Sequence, residues 1–265
     1  MSPLARAARL FVASLALLAC APGVVRAQPL AVAAASDLQA VFPTLAERFQ
    51  RETGHSVNAT FGSSGNFFAQ IQNGAPFDAF LSADIEYPRR LEAAHQAEPG
   101  TLSAYATGQL VVWTRTSTGI DIRAGLTVVN DPRVKHIAIA NPEHAPYGRA
   151  AVAALQHESL YDGARAKFVL GESISQAAQF AESGNAEVGI LALALALAPA
   201  LRASGTYVLI PPSFYPPIEQ GAVVLRTSRN KTLARQFLAF IERPDIAHIL
   251  AAAGFAPPVR GAADR

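Results

Sequence analysis

A chain of 265 residues is long enough for one large domain or for two lobes with separate cores. Its 51% hydrophobic content excludes a disordered or fibrous protein. A formal charge of +2 excludes the basic excess on which nucleic-acid binding depends.

The chain opens on a segment that reads as a secretory signal. Arg6 and Arg9 precede an apolar run from Leu10 to Ala19, and Val25-Arg26-Ala27 sets small residues before a cut ahead of Gln28. The run is too short to span a membrane. A rival cut at Leu17-Leu18-Ala19-Cys20 weakly resembles a lipoprotein box, which makes anchoring at Cys20 a minor alternative. Removing residues 1–27 leaves 19 of the 22 basic residues against 20 acidic ones, a charge of about −1. Cys20, the one cysteine, goes with the signal, so the exported chain has neither disulfide nor thiol chemistry.

Leu30 to Ala35 reads as a buried strand running straight into Ser36-Asp37, and a helical pattern follows from Leu38 to Glu52 with a kink or restart at Pro43. Ser56 to Phe61 alternates as a strand. The turn Gly62-Ser63-Ser64-Gly65 leads into a helix carrying Phe67, Phe68 and Ile71, which Gly74 and Pro76 stop. Phe77 to Ser82 is a strand, and Ser82-Ala83-Asp84 opens a helix through Leu91. A strong strand covers Gly108 to Trp113, another covers His136 to Ala140, and Tyr147-Gly148-Arg149 starts a helix over Ala150 to Gln156. Ala166 to Leu170 is a strand whose turn, Gly171 to Ile174, leads into a helix from Ser175 to Glu182. Val188 to Leu201 reads as a buried strand followed by a helix rather than a membrane span, because it is short and Pro199 interrupts it. Strands at Tyr207 to Pro211 and Gln220 to Leu225, and helices at Thr232 to Ile241 and from Pro244 to Ala253, complete the chain.

This alternation argues for an α/β fold, and the number of strands suits two lobes better than one sheet. Ligands in such folds sit at the carboxyl ends of strands, where helices begin. Four strand-to-helix turns, at Ser36, Ser64, Tyr147 and Ile174, are short and rich in Ser, Gly or Pro. Each presents backbone N–H groups, and two add a hydroxyl. Together they form a site for a tetrahedral oxyanion held without Lys or Arg. Each residue taken alone has a plainer reading: Ser36 as a helix cap, Ser64 as a turn residue, Ile174 as core. Asp37 and Asp84 read as helix-start carboxylates.

At this point the sequence resembles the periplasmic molybdate-binding proteins of molybdate ABC transporters. The resemblance rests on Ala33-Ala34-Ala35-Ser36-Asp37-Leu38, Phe61-Gly62-Ser63-Ser64-Gly65, the run Gly74 to Asp84, Asn141 to Gly148, and Ala253-Gly254-Phe255, which occur in that order over the mature chain. It implies a two-lobed type II periplasmic binding fold, each lobe a mixed, mainly parallel sheet flanked by helices, with the ligand in the cleft. The lobes are expected at 28–107 plus 222–260 and at 108–221, with a loose tail at 261–265. The chain would cross between them near Ala106–Gln109 and Pro217–Ala222.

The resemblance also implies the site. Ser36 and Ser64 become hydroxyl and amide donors from the first lobe. Tyr147 and Ile174 become backbone donors from the second, so that their side chains matter less. Ser63 is the register alternative to Ser64, and the amide of Asp37 is a weaker candidate. The Asp37 carboxylate is expected to point away, because it would repel a bare dianion. One departure stands out: some relatives place a Tyr hydroxyl on the anion where this chain has Ala192.

The implied function is capture of molybdate, and of tungstate, for import through an inner-membrane permease. The protein would act in the periplasm as a monomer, with no cofactor, no catalysis and no nucleic-acid partner. Alternatives are a binding protein for sulfate or phosphate, or an exported serine hydrolase using Ser36 or Ser64. For the hydrolase the sequence offers no recognisable base, no Gly-x-Ser-x-Gly elbow and no Walker motif. The six histidines are scattered and lack paired metal-ligand spacing.

Overall fold

The computed structural model describes residues 28–259. The signal segment 1–27 with Cys20, and the tail 261–265, lie outside the described residues. The described chain forms two five-stranded sheets. The first contains β1 (Leu30–Ala35), β2 (Val57–Gly62), β3 (Ala79–Ser82), β4 (Ser103–Gly108) and β10 (Ile218–Val224), in the order β2-β1-β3-β10-β4. The second contains β5 (Leu110–Arg115), β6 (Ile137–Ala140), β7 (Phe168–Gly171), β8 (Val188–Ala192) and β9 (Gly205–Leu209), in the order β7-β6-β8-β5-β9.

Each sheet is mixed in the same way. β1 pairs in parallel with β2 and β3, and β6 in parallel with β7 and β8. β10 runs antiparallel to β3 and β4, and β5 antiparallel to β8 and β9. Strand periodicity explains how the first sheet is covered. Leu30, Val32 and Ala34 face one apolar cluster with Leu38, Phe42, Leu45, Phe49 and Phe237, whereas Ala33 faces another with Phe67, Phe68, Ile71 and Phe80. The small side chains of β1 let elements pack closely on both faces, as a buried parallel strand requires.

Between β4 and β5 stands Gln109 alone, so the chain leaves the first sheet and enters the second within one residue. It returns between Leu209 and Ile218. The second crossing therefore falls earlier than residue 222, because all of β10 hydrogen-bonds in the first sheet. Gly108, at the first crossing, has a packing reason for its identity: a Cβ there would meet the Tyr147 hydroxyl oxygen at 2.2 Å.

The helices follow the sequence reading with local differences. The pattern after β1 is two elements, a 3-10 helix at Ser36–Ala40 and then α1 (Phe42–Thr53). Pro43 sits in the first turn of α1, where its missing N–H costs nothing, so it restarts the helix rather than kinking it. α2 spans Ser64–Gln72 and α3 Glu86–Ala93, with the Asp84 carboxylate accepting from the Glu86 amide at 2.9 Å. In the second lobe, α4 spans Pro146–His157, α5 Tyr161–Ala164 and α6 Ile174–Ser183. The apolar run after Glu187 forms β8 and then two short helices, α7 (Leu193–Ala196) and α8 (Pro199–Ser204), the second opened by Pro199. Among the described residues no helix is long and apolar enough to cross a membrane. The helices α9 (Lys231–Ile241) and α10 (Pro244–Ala252) close the first lobe.

Candidate functional site

The four turns singled out in the sequence follow β1, β2, β6 and β7, four of the six strands that pair in parallel. Ser36 opens the 3-10 helix after β1, Ser64 opens α2 after β2, Tyr147 lies in the first turn of α4, and Ile174 opens α6 after β7. First-turn amides have no acceptor inside their own helix, so each of these turns offers N–H groups at the positive end of a helix. The structure brings all four to one pocket between the lobes, and Asp37 and Ser63 line it as well. All six residues are buried. No Lys, Arg or His is among the lining residues. The pocket leaves about 10 Å³ for the centre of a water-sized sphere, room for one small group.

The hydroxyls are oriented by neighbouring amides. Ser64 Oγ accepts from the Ala83 N–H at 2.9 Å, and Ser36 Oγ accepts from the Ser175 N–H at 3.3 Å. A hydroxyl that accepts in this way keeps its own proton free to donate. Ser63 plays another local part: it is the N-cap of α2, accepting from the Asn66 N–H at 3.3 Å. Ser64, one residue on, supplies an amide and a hydroxyl together.

Several contacts join the lobes around the pocket. Besides Ser175 to Ser36, the Gly65 N–H donates to the His144 carbonyl at 2.9 Å, and Ser63 Oγ lies 2.8 Å from His144 Nδ1. Arg149 of α4 reaches across to the Asp84 carboxylate at 2.5 Å and to the Tyr87 hydroxyl at 3.2 Å. Ala35 and Ala83 of the first lobe pack into the apolar cluster of the second. The two lobes are therefore closed on each other.

Asp37 and Tyr147 are joined through their side chains. The Tyr147 side chain matters: its ring is buried, and its hydroxyl donates to Asp37 Oδ2 at 2.9 Å. The Asp37 carboxyl is fully buried, and Asp37 is among the residues that line the pocket. Gln220 Nε2 donates to the same Oδ2 at 2.5 Å, and Gln220 Oε1 accepts from the Tyr105 hydroxyl at 2.9 Å. Asp37 Oδ1 has no hydrogen-bond partner. Burial pushes this carboxyl up to about 6, against the opposing effect of the Tyr147 and Gln220 hydrogen bonds. Burial also pushes the Tyr147 and Tyr105 phenols up, with the Asp37 charge adding to both.

Sequence reasoning did not find His144, Arg149, Tyr105 or Gln220. His144 lies in the segment Asn141 to Gly148 without having been assigned a part, the other three carry no motif or period, and each is joined to its partner only across tens of residues of chain. Ser63, His144 and Glu172 are aligned, with His144 Nε2 3.3 Å from the Glu172 carboxylate, and so share the residue types of a hydrolytic triad. Ser63 Oγ is at the same time the cap of α2, accepting from the Asn66 N–H. Ala192 ends β8 opposite Leu110, is fully buried, and is not among the pocket's lining residues.

The family of bacterial extracellular solute-binding proteins matches residues 30–256. The chain is 37% identical over 239 residues to the molybdate-binding protein ModA of Azotobacter vinelandii, covering 90% of this chain and 93% of that one. It is 38% identical over 207 residues to ModA of Rhodobacter capsulatus, covering 78% and 80%. The solved structure of the periplasmic molybdate-binding protein of Azotobacter vinelandii superposes with a TM-score of 0.81, covering 87% of this chain and 100% of that one.

Proposed function

The chain belongs to the family of bacterial extracellular solute-binding proteins, and from that membership we propose that it captures molybdate in the periplasm for import by an ABC transporter. One observation carries the reading. Helix starts from both lobes converge on a single small pocket that has hydroxyl and amide donors and no cationic side chain. Such a set suits an ion whose four oxygens all accept hydrogen bonds. Ser36, Ser64, Tyr147 and Ile174 are the donors in this reading, with the amide of Asp37 beside them and Ser63 as the cap that orients α2. Tungstate shares the charge and shape of molybdate and is bound with it. Sulfate and phosphate are discriminated by size, because donors fixed at a cavity wall lose contact with a smaller ion.

Capture is a closing of the lobes about the crossings at Gln109 and between Leu209 and Ile218, since each lobe alone holds only half of the donors. The domains are accordingly 28–108 with 218–259, and 110–217. The closed form is the one that docks on the inner-membrane permease. The protein acts as a monomer after removal of the segment ahead of Gln28, with no cofactor and no bond made or broken.

Titration calorimetry of ligand-stripped protein with molybdate, tungstate, sulfate and phosphate tests this reading. Binding of the first two and not of the others is expected. A thermal-shift panel gives the same ranking, because a ligand of the folded state alone raises stability with its concentration. Tight sulfate or phosphate binding without molybdate binding would overturn the reading.

A further inference from the structure

The wall of the pocket contains a group that does not belong with a bare dianion. Asp37 lines the pocket together with the proposed donors, its carboxyl is fully buried, and Oδ1 has no hydrogen-bond partner. The other oxygen is saturated with donors, since Tyr147 and Gln220 both donate to Oδ2. The direction of those bonds is fixed. Gln220 turns its amide nitrogen to Asp37 because its oxygen accepts from Tyr105, and a phenol hydroxyl has only one proton to give. A proton added to this carboxyl therefore goes to Oδ1, the oxygen without a donor.

An ionised Asp37 would sit in the wall of one dry pocket beside an ion of charge −2, with only hydrogen-bond donors, Tyr147, Gln220 and the amides of Asp37 and Leu38, to set against the repulsion. The titratable groups around the carboxyl are the phenols Tyr147 and Tyr105, with Tyr215 beside Tyr147, and burial holds all three in the neutral form. No cation contributes at Asp37. Of the charged and titratable groups at the pocket rim, His144 is engaged by Ser63 and Glu172, and Arg149 by Asp84. α7, which also packs on the Ser36–Ala40 helix, carries no titratable residue, and α6 carries only Glu182, at its far end.

Resting on the oxyanion reading above, we propose that binding of the anion draws one proton from solvent onto Asp37 Oδ1, so that capture is coupled to proton uptake. The only bond formed is Oδ1–H, and the anion remains unprotonated. Burial has already brought the carboxyl close to neutrality, with a pKa of about 6, and the anion raises it further. Above about pH 6 the free site is ionised and the loaded site is protonated, so affinity rises as pH falls, by up to roughly tenfold per pH unit.

The test is calorimetric titration of sodium molybdate into the stripped full chain at about pH 7.5, in buffers of different ionisation heat, for the wild type, Asp37→Asn and His144→Gln. Asp37→Asn keeps the acceptor for Tyr147 and Gln220 and carries no charge. The expected result is uptake of close to one proton per anion by the wild type and by His144→Gln, and none by Asp37→Asn. The wild-type affinity would climb toward low pH, while that of Asp37→Asn would stay flat. Zero uptake by the wild type, or the same uptake by Asp37→Asn, would overturn the inference while leaving molybdate capture intact. Should Asp37→Asn not fold, His144→Gln still decides, since loss of uptake there would assign the proton to His144. Absence of any oxyanion binding by the wild type overturns both this inference and the reading beneath it.

Discussion

Gly65 of α2 and His144 ahead of α4 meet across the cleft backbone to backbone. The Gly65 amide donates to the His144 carbonyl at 2.9 Å, and a Cβ on Gly65 would stand 2.5 Å from that oxygen and 2.8 Å from the Tyr87 hydroxyl. The carbonyl belongs to the opposite lobe, so the clash with backbone exists only when the lobes are shut, whereas the Tyr87 hydroxyl, in the same lobe as Gly65, is the end of a side chain that can move aside. Gly65→Ala is expected to separate two measurements. Gly65 is the second residue of α2, where Ala restricts the unfolded chain relative to Gly, so with the Tyr87 side chain moved aside the melting temperature of the stripped protein should hold. Molybdate affinity should fall by roughly tenfold or more, since overpacking against backbone costs about 1–3 kcal/mol. Unchanged affinity would mean that the closed geometry is not the binding geometry.

Asp37 also makes stability depend on pH. Its folded pKa, about 6, lies above its ordinary value of 3.8. The folded state therefore binds the proton more tightly than the unfolded chain. The resulting stability is fully present below pH 3.8 and is lost as pH rises to about 6. Asp37→Asn removes the buried charge, so it should stabilise the stripped protein above about pH 6, by on the order of 2–3 kcal/mol at most. The gain should shrink toward pH 4. Denaturant titrations at several pH values measure it, and a gain that grew on acidification would contradict the assigned sign.

Arg149 and Asp84 form an ion pair between the lobes at the cleft mouth, with side chains 39% and 26% exposed. Partial exposure limits its worth to about 0.2–1 kcal/mol. Arg149→Ala should weaken molybdate binding by no more than about fivefold, and the difference from wild type should fade in high salt as screening removes the pair's advantage. A large loss that ignored salt would instead assign Arg149 a direct part in holding the anion.

The hydroxyls of Ser36 and Ser64 carry the donor assignment. Each is oriented by an amide that donates to it. Hydrogen bonds to charged groups are worth about 1.5–3 kcal/mol, so Ser64→Ala and Ser36→Ala should each lower molybdate affinity by roughly ten- to hundredfold. Titration of both variants checks this. Wild-type affinity in both would mean that the site is built from amides alone.

How far the sequence could be read depends on the range of the interaction. Strand and helix periodicity, the glycine stops after α1 and α2, and the Ser-rich starts at Ser36 and Ser63-Ser64 act over a few residues, and the elements fell where those signals stood. Even Pro43 was legible as a break, although only the structure shows that it opens a new helix. The four donor turns could be named because the amide supply of a helix start follows from local geometry alone. The resemblance of five short segments in order then made them one site.

What lay beyond local chemistry was decided by folding. Tyr147 reads as a backbone donor in sequence, yet its ring fills the seam between the lobes because Gly108 leaves space for the hydroxyl and Asp37 accepts from it. The joining of Asp37 to Gln220 spans 183 residues, and that of Gly65 to His144 spans two lobes. No period or motif encodes such pairs, since they arise only when two separately folded sheets close on one another. The amino-acid sequence by itself determined two α/β lobes and a set of anion-ready helix starts. The tertiary structure alone decided that a buried carboxyl shares their pocket, because desolvation and the donors around Oδ2 exist only once both lobes surround it.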